Sequence, residues 1–150
     1  MAFRRAFLAL IALAVGAATG SVLAGDHPDF TGTWKMNETA REPNSTGPRE
    51  VVFKITHQDP EFSYEATGRQ SNYAAFSEAH SFTTDGKVSA GDAKVKIVAQ
   101  WQGQVLRTRA LIDGDEFMVV EYRLSADGQQ MTRDLFLKGK PLGRETYDRQ

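Results

Sequence analysis

The chain has no cysteine in its 150 residues. That excludes disulfide staples, thiolate nucleophiles and cysteine-ligated metals, and with them a lipid anchor on an N-terminal cysteine. Neither sign of charge dominates. Eighteen Lys and Arg stand against nineteen Asp and Glu, for a formal charge of −1. No basic stripe marks a nucleic-acid partner. The three histidines, His27, His57 and His80, are too scattered to form a zinc motif. There is no Gly-x-Ser-x-Gly elbow and no phosphate-cradling glycine loop. With no nucleophile in view, an enzyme is not expected, and no cofactor is implied.

One long uncharged run exists, and it stands at the start. Arg4 and Arg5 precede Ala6 to Leu23, which carries no charge, and Val22-Leu23-Ala24 ends it with small or aliphatic residues. A basic start, an apolar middle and an A-x-A-like end make a secretory signal spanning residues 1–24. The competing reading is a membrane anchor, but the run is short and interrupted by glycine. Arg4-Arg5-Ala6-Phe7-Leu8 resembles the bacterial twin-arginine export motif. Export by this or the general secretory route would place the mature protein in the periplasm or outside the cell. Cleavage after Ala24 leaves residues 25–150 as one domain, large enough for a single core.

The mature region alternates. In Asp29-Phe-Thr-Gly-Thr-Trp-Lys-Met36, the residues Phe30, Gly32, Trp34 and Met36 share one side. That is the period of a half-buried strand, and Gly32 leaves room for close approach beside two aromatics. Asn37 to Pro48 reads as a loop. Val51, Phe53, Ile55 and His57 share a face, and Phe62, Tyr64, Ala66 and Gly68 share another, with a turn at Gln58-Asp-Pro60 between them. Tyr73 to Phe82 suits either a helix or a strand. As a strand it sets Phe76, Glu78, His80 and Phe82 on one face.

Asp85-Gly86, Gln102-Gly103, Asp113-Gly114 and Asp127-Gly128 read as hairpin turns. Gly139 to Gly143 reads as a loop before a short last strand from Arg144 to Arg149. Nine or ten short strands with no long amphipathic helix predict an all-β fold, a barrel or a sandwich.

Phe30-Thr-Gly-Thr-Trp-Lys-Met36 resembles the first strand of lipocalins and fatty-acid-binding proteins, the calycin superfamily. Trp101-Gln-Gly103 through Ala110-Leu-Ile-Asp-Gly114 is similar to a hairpin of the fatty-acid-binding branch. From Leu124-Ser-Ala-Asp-Gly128 onward the tail is similar to small secreted bacterial proteins of lipocalin-like type. The resemblance implies an antiparallel up-and-down β-barrel whose cavity holds an apolar ligand. In that family, arginines facing the cavity often hold a ligand carboxylate. Alignment on Asp113-Gly114 puts the first at Arg109, although periodicity turns Arg109 outward. The second element, Arg-x-Tyr, is divided between Arg133 and Glu145-Thr-Tyr147. The loop between the first two strands is too short for the helical lid of the fatty-acid-binding branch.

Arg133 shares a face with Met131, Leu135 and Leu137. A guanidinium among aliphatics needs a partner. It is either a clamp on a ligand carboxylate or a cation stacked on Trp34 to close the barrel end. Glu78 and His80 are a ligand-facing polar pair, or an acid and base, or an ordinary surface pair. Tyr122, Phe62 and Tyr64 complete the candidate ligand contacts, and Gly32 with Trp34 would close the barrel. If the mature chain begins at Gly25, then His27 in third position could complete a square-planar Cu(II) or Ni(II) site with the terminal amine and two amides.

The expectation is a monomeric, exported, non-catalytic barrel that binds a small hydrophobic molecule, carboxylate-bearing or not. The alternative is a barrel filled by its own aromatics that engages a protein or envelope component through its outer face.

Overall fold

The alternation becomes ten antiparallel strands in the computed structural model, which describes residues 27–89 and 94–150. The predicted signal and the start of the mature chain lie outside the described residues. The strands are β1 (Gly32–Met36), β2 (Glu50–Gln58), β3 (Glu61–Arg69), β4 (Ala75–Thr83) and β5 (Asp85–Ser89). They continue with β6 (Val95–Gln102), β7 (Val105–Ile112), β8 (Asp115–Leu124), β9 (Gln130–Leu137) and β10 (Lys140–Arg149). Each strand pairs with its neighbour in the chain except β4 with β5, and β1 pairs with β10. The sheet therefore wraps into a nearly closed barrel whose two free edges, β4 and β5, are joined by Thr84 alone. At that seam the Thr83 amide donates to the Ser89 hydroxyl, 2.9 Å away, where a ladder would otherwise run.

Two turns differ from the sequence reading. Asp85-Gly86 belongs to β5 and opens a register shift against β6, so it is no hairpin turn. Gly86 has φ +81°, which suits glycine at such an irregularity. Of the predicted loop Gly139 to Gly143, all but Gly139 is strand. β10 begins at Lys140 and is kinked between Pro141 and Gly143, and the turn falls on Lys138 and Gly139. Of Tyr73 to Phe82, the part from Ala75 onward is strand: the nine residues of β4 all pair with β3, against which its helical propensity does not prevail.

The interior is unevenly filled. At one end Phe30, Trp34, Phe62, Leu106 and Met131 are wholly buried. Phe62 stacks on Phe82 at 4.9 Å, and Phe30 meets Tyr122 edge-on at 6.1 Å. Trp34 plugs this end. Its indole N–H donates to the Phe30 carbonyl (2.8 Å), and the Arg149 guanidinium lies 4.2 Å from its ring centroid. The register Trp34↔Arg149 sets that stack. The closing arginine is thus Arg149, and not Arg133. Gly32 is required beside it, because a Cβ there would meet Arg149 Nη1 at 2.6 Å, and its φ is +146°. The other end of the barrel stays open.

Candidate functional site

The open end holds a cavity of about 480 Å³. Residues of six strands line it, β2, β3, β4, β8, β9 and β10, among them Val51, Phe53, Ala66, Phe76, Met118 and Leu135. The stretch from Glu42 to Pro48, between β1 and β2, also lines it. The volume and mixed lining suit a small apolar molecule with one polar end.

The polar end is built from β9 and β10. Register places Glu145 opposite Arg133, and Tyr147 opposite Met131. Arg133 Nη1 donates to Glu145 Oε2 at 2.9 Å, and the Tyr147 hydroxyl donates to the same oxygen at 2.7 Å. The two charged side chains are 12% and 16% exposed. The guanidinium lies over Phe53 (4.7 Å) and Tyr122 (5.2 Å), and its Nε is buried without a partner. Burial works against its charge, but Tyr122 and Glu145 more than offset this and hold it firmly protonated. Burial pushes the Tyr147 and Tyr64 hydroxyls well above their ordinary value, so both stay neutral.

The predicted ligand residues do not all converge. Arg133 and Glu78 line the cavity, Glu78 at its rim with its side chain half exposed. Tyr122 lies beneath Arg133, and Tyr64 packs edge-on against Phe53 at 5.2 Å, both a layer behind the lining. Phe62 belongs to the filled end. His80 sits against Tyr64 at 5.3 Å, and its Nε2 is 3.9 Å from Glu78, too far for a hydrogen bond. Arg109 is outside. It pairs across the sheet with Val98 and Val119, away from the inward Leu106 and Thr108, and lies 3.8 Å from Glu116. The period-two reading therefore prevails over the alignment. Glu145 is the site residue the sequence reading undervalued. The signal was present in Glu145-Thr-Tyr147, where the resemblance implies an arginine.

A second polar cluster closes the filled end. Asp59 accepts hydrogen bonds from His27 Nδ1 (2.9 Å), Trp101 Nε1 (3.1 Å) and the Thr84 hydroxyl. The His27 ring stacks on Trp101 at 4.2 Å. The partly buried position of Asp59 would raise its pKa, but the bonds from Thr84, His27 and Trp101 outweigh this and hold it well below 3.8. His57 accepts the Phe30 N–H at Nδ1 (3.3 Å), so its proton sits on Nε2, 3.5 Å from Asp59. In the third-position copper site, the imidazole would bind through Nδ1, the nitrogen that faces Asp59 here. The amine and one of the two amides such a site needs lie outside the described residues. Among the described residues, no group of three His, Asp or Glu could hold a metal ion.

The fold recurs in solved structures. The fluorescent protein UnaG matches with a TM-score of 0.61 at 16% identity, over 81% of this chain and 97% of that one. Human cRBP IV matches at 0.59 and 14%, over 82% and 99%. A REP1-NXSQ fatty acid transporter matches at 0.56 and 13%, over 80% and 95%. No family model and no curated protein sequence matches the chain. At these identities the likeness shows the architecture alone: a ten-stranded antiparallel barrel. The chain thus has the fold of a class of small barrels with an internal cavity.

Proposed function

We propose that this chain is an exported, monomeric carrier of a small hydrophobic molecule, without catalytic activity. The observation that carries the proposal is the half-filled interior. Aromatic packing stops at Phe53 and Tyr147, and beyond them lies a cavity with apolar walls and one buried polar cluster. Binding would come from apolar surface leaving water, with the Arg133 cluster orienting the polar end of the ligand. A barrel acting only through its outer face would have no use for that space. Glu78 and His80 stand too far apart, and too near solvent, for paired acid and base work. The fatty acid transporter among the similar folds favours a carrier. Residues 1–24 favour export to the periplasm or the medium.

Native mass spectrometry of protein purified from its own host checks this. The expected result is a co-purifying small apolar molecule that is lost when Leu135 is replaced by Glu. Bare protein in repeated preparations, with no uptake of added apolar ligands, would refute the carrier reading.

A further inference from the structure

The cavity's charge points to the kind of polar end its ligand carries. This step rests on the carrier reading. Three glutamates line the cavity, Glu42, Glu78 and Glu145, against two arginines, Arg133 and Arg144. Neither arginine is spare. Arg144 is committed to Asp134 through hydrogen bonds of 2.6 and 3.0 Å. Arg133 is matched by Glu145, which the β9–β10 register delivers whether or not a ligand is present. The Glu145 oxygen that accepts from Arg133 also accepts from Tyr147, so the charges of the pair balance, while the Arg133 Nε–H remains a buried donor without a partner. At the rim, among the described residues, the ion-pair contact of Glu78 is with His80, at 3.9 Å.

A ligand carboxylate bound to Arg133 would form a second anion beside the largely buried Glu145, in a cavity that Glu78 also lines. Like charges at such range disfavour each other strongly when water is scarce. An uncharged oxygen meets no such penalty. It can accept from the guanidinium, whose charge Glu145 has already balanced, and a hydroxyl can also donate to Glu145.

We infer that the cavity selects a long apolar molecule ending in an uncharged hydroxyl or carbonyl, and discriminates against the matching carboxylate. Glu145 is the specificity-determining residue, and Glu78 adds to its effect from the rim.

The test is a calorimetric titration at neutral pH with a long-chain fatty alcohol and the fatty acid of the same length. Wild-type protein and the variants Glu145→Gln and Glu78→Gln are compared. The wild type should bind the alcohol at least about tenfold more tightly than the acid. Glu145→Gln leaves the Arg133 charge unmatched and should move that ratio toward the acid by about tenfold or more. Glu78→Gln, at the exposed rim where folding is not at stake, should move it the same way by about two- to threefold. Acid binding as tight as alcohol binding in the wild type would overturn the inference and leave the carrier reading standing. So would ratios that neither variant moves. Folded wild-type protein that binds neither compound would overturn both.

Discussion

Replacing Arg133 by Met separates a self-contained ion pair from a clamp that waits for its ligand. The methionine keeps most of the aliphatic stem over Phe53 and Tyr122 but leaves Glu145 with only the Tyr147 hydroxyl. Removing one partner of a buried pair costs roughly 3–5 kcal/mol, because the survivor is a charge without compensation. Here both side chains keep some exposure, 12% and 16%, toward a cavity that water can enter. The loss should fall at or just below the bottom of that range, about 2–3 kcal/mol. The double variant Arg133→Met with Glu145→Leu removes both charges and fills the space with apolar atoms. It should lie within about 1 kcal/mol of wild type.

Urea unfolding followed by tryptophan fluorescence measures each variant, since Trp34 and Trp101 both sit in the barrel. For a domain of this size the single variant should lower Tm by roughly 10 °C, and the double variant should restore most of it. The cycle should give a coupling of about 1.5 kcal/mol or more. A single variant within about 0.5 kcal/mol of wild type would refute the reasoning. A double variant as unstable as the sum of its parts would do the same.

Three further outcomes follow from the geometry. Gly68→Ala should be the most damaging single methyl in the barrel, because its Cβ would lie 1.9 Å from the Glu50 carbonyl oxygen on the paired strand. A loss above about 3 kcal/mol, or failure to fold, is expected in a denaturant melt. Arg149→Met removes the cation over Trp34 and the bonds to the Thr31 and Gly128 carbonyls. It should cost about 2–3 kcal/mol and shift Trp34 emission, an optical change that Arg133→Met should not reproduce. Asp59 titrates below its ordinary 3.8 in the folded state because the hydrogen bonds from Thr84, His27 and Trp101 outweigh its burial. Its stabilisation is therefore whole above the unfolded value and drains away as the pH falls through about 4 toward the folded value. Urea midpoints from pH 6 to pH 3 should fall less steeply for Asp59→Asn than for wild type, and parallel slopes would contradict this.

The strands were legible because one face of each is buried, and period two survives in Val51, Phe53 and Ile55 as plainly as in Met118, Val120 and Tyr122. The same periodicity turned Arg109 outward, against what the family likeness implied. What the sequence did not show was partnership across the barrel. Arg133 and Arg149 are both arginines on inward-facing strands near the C-terminus. Only the β1–β10 and β9–β10 registers decide that Arg149 meets Trp34 and Arg133 meets Glu145. Register between distant strands depends on the whole closed sheet and leaves no local signature. The Asp59 cluster was hidden for the same reason. It joins residues 27, 59, 84 and 101, each ordinary in its own stretch. Nor does alternation distinguish an inward residue that packs from one that lines a void, so the half-filled interior needed coordinates.

The central claim is that the open end of the barrel is where an apolar ligand sits. The most direct measurement is methyl-resolved NMR during addition of a long-chain alcohol. The account predicts shifts at Met118, Leu135 and Val51, which line the cavity, with Met131 and Leu106 at the filled end unmoved. Shifts confined to outward methyls such as Val88, or no shift at saturating ligand, would contradict it.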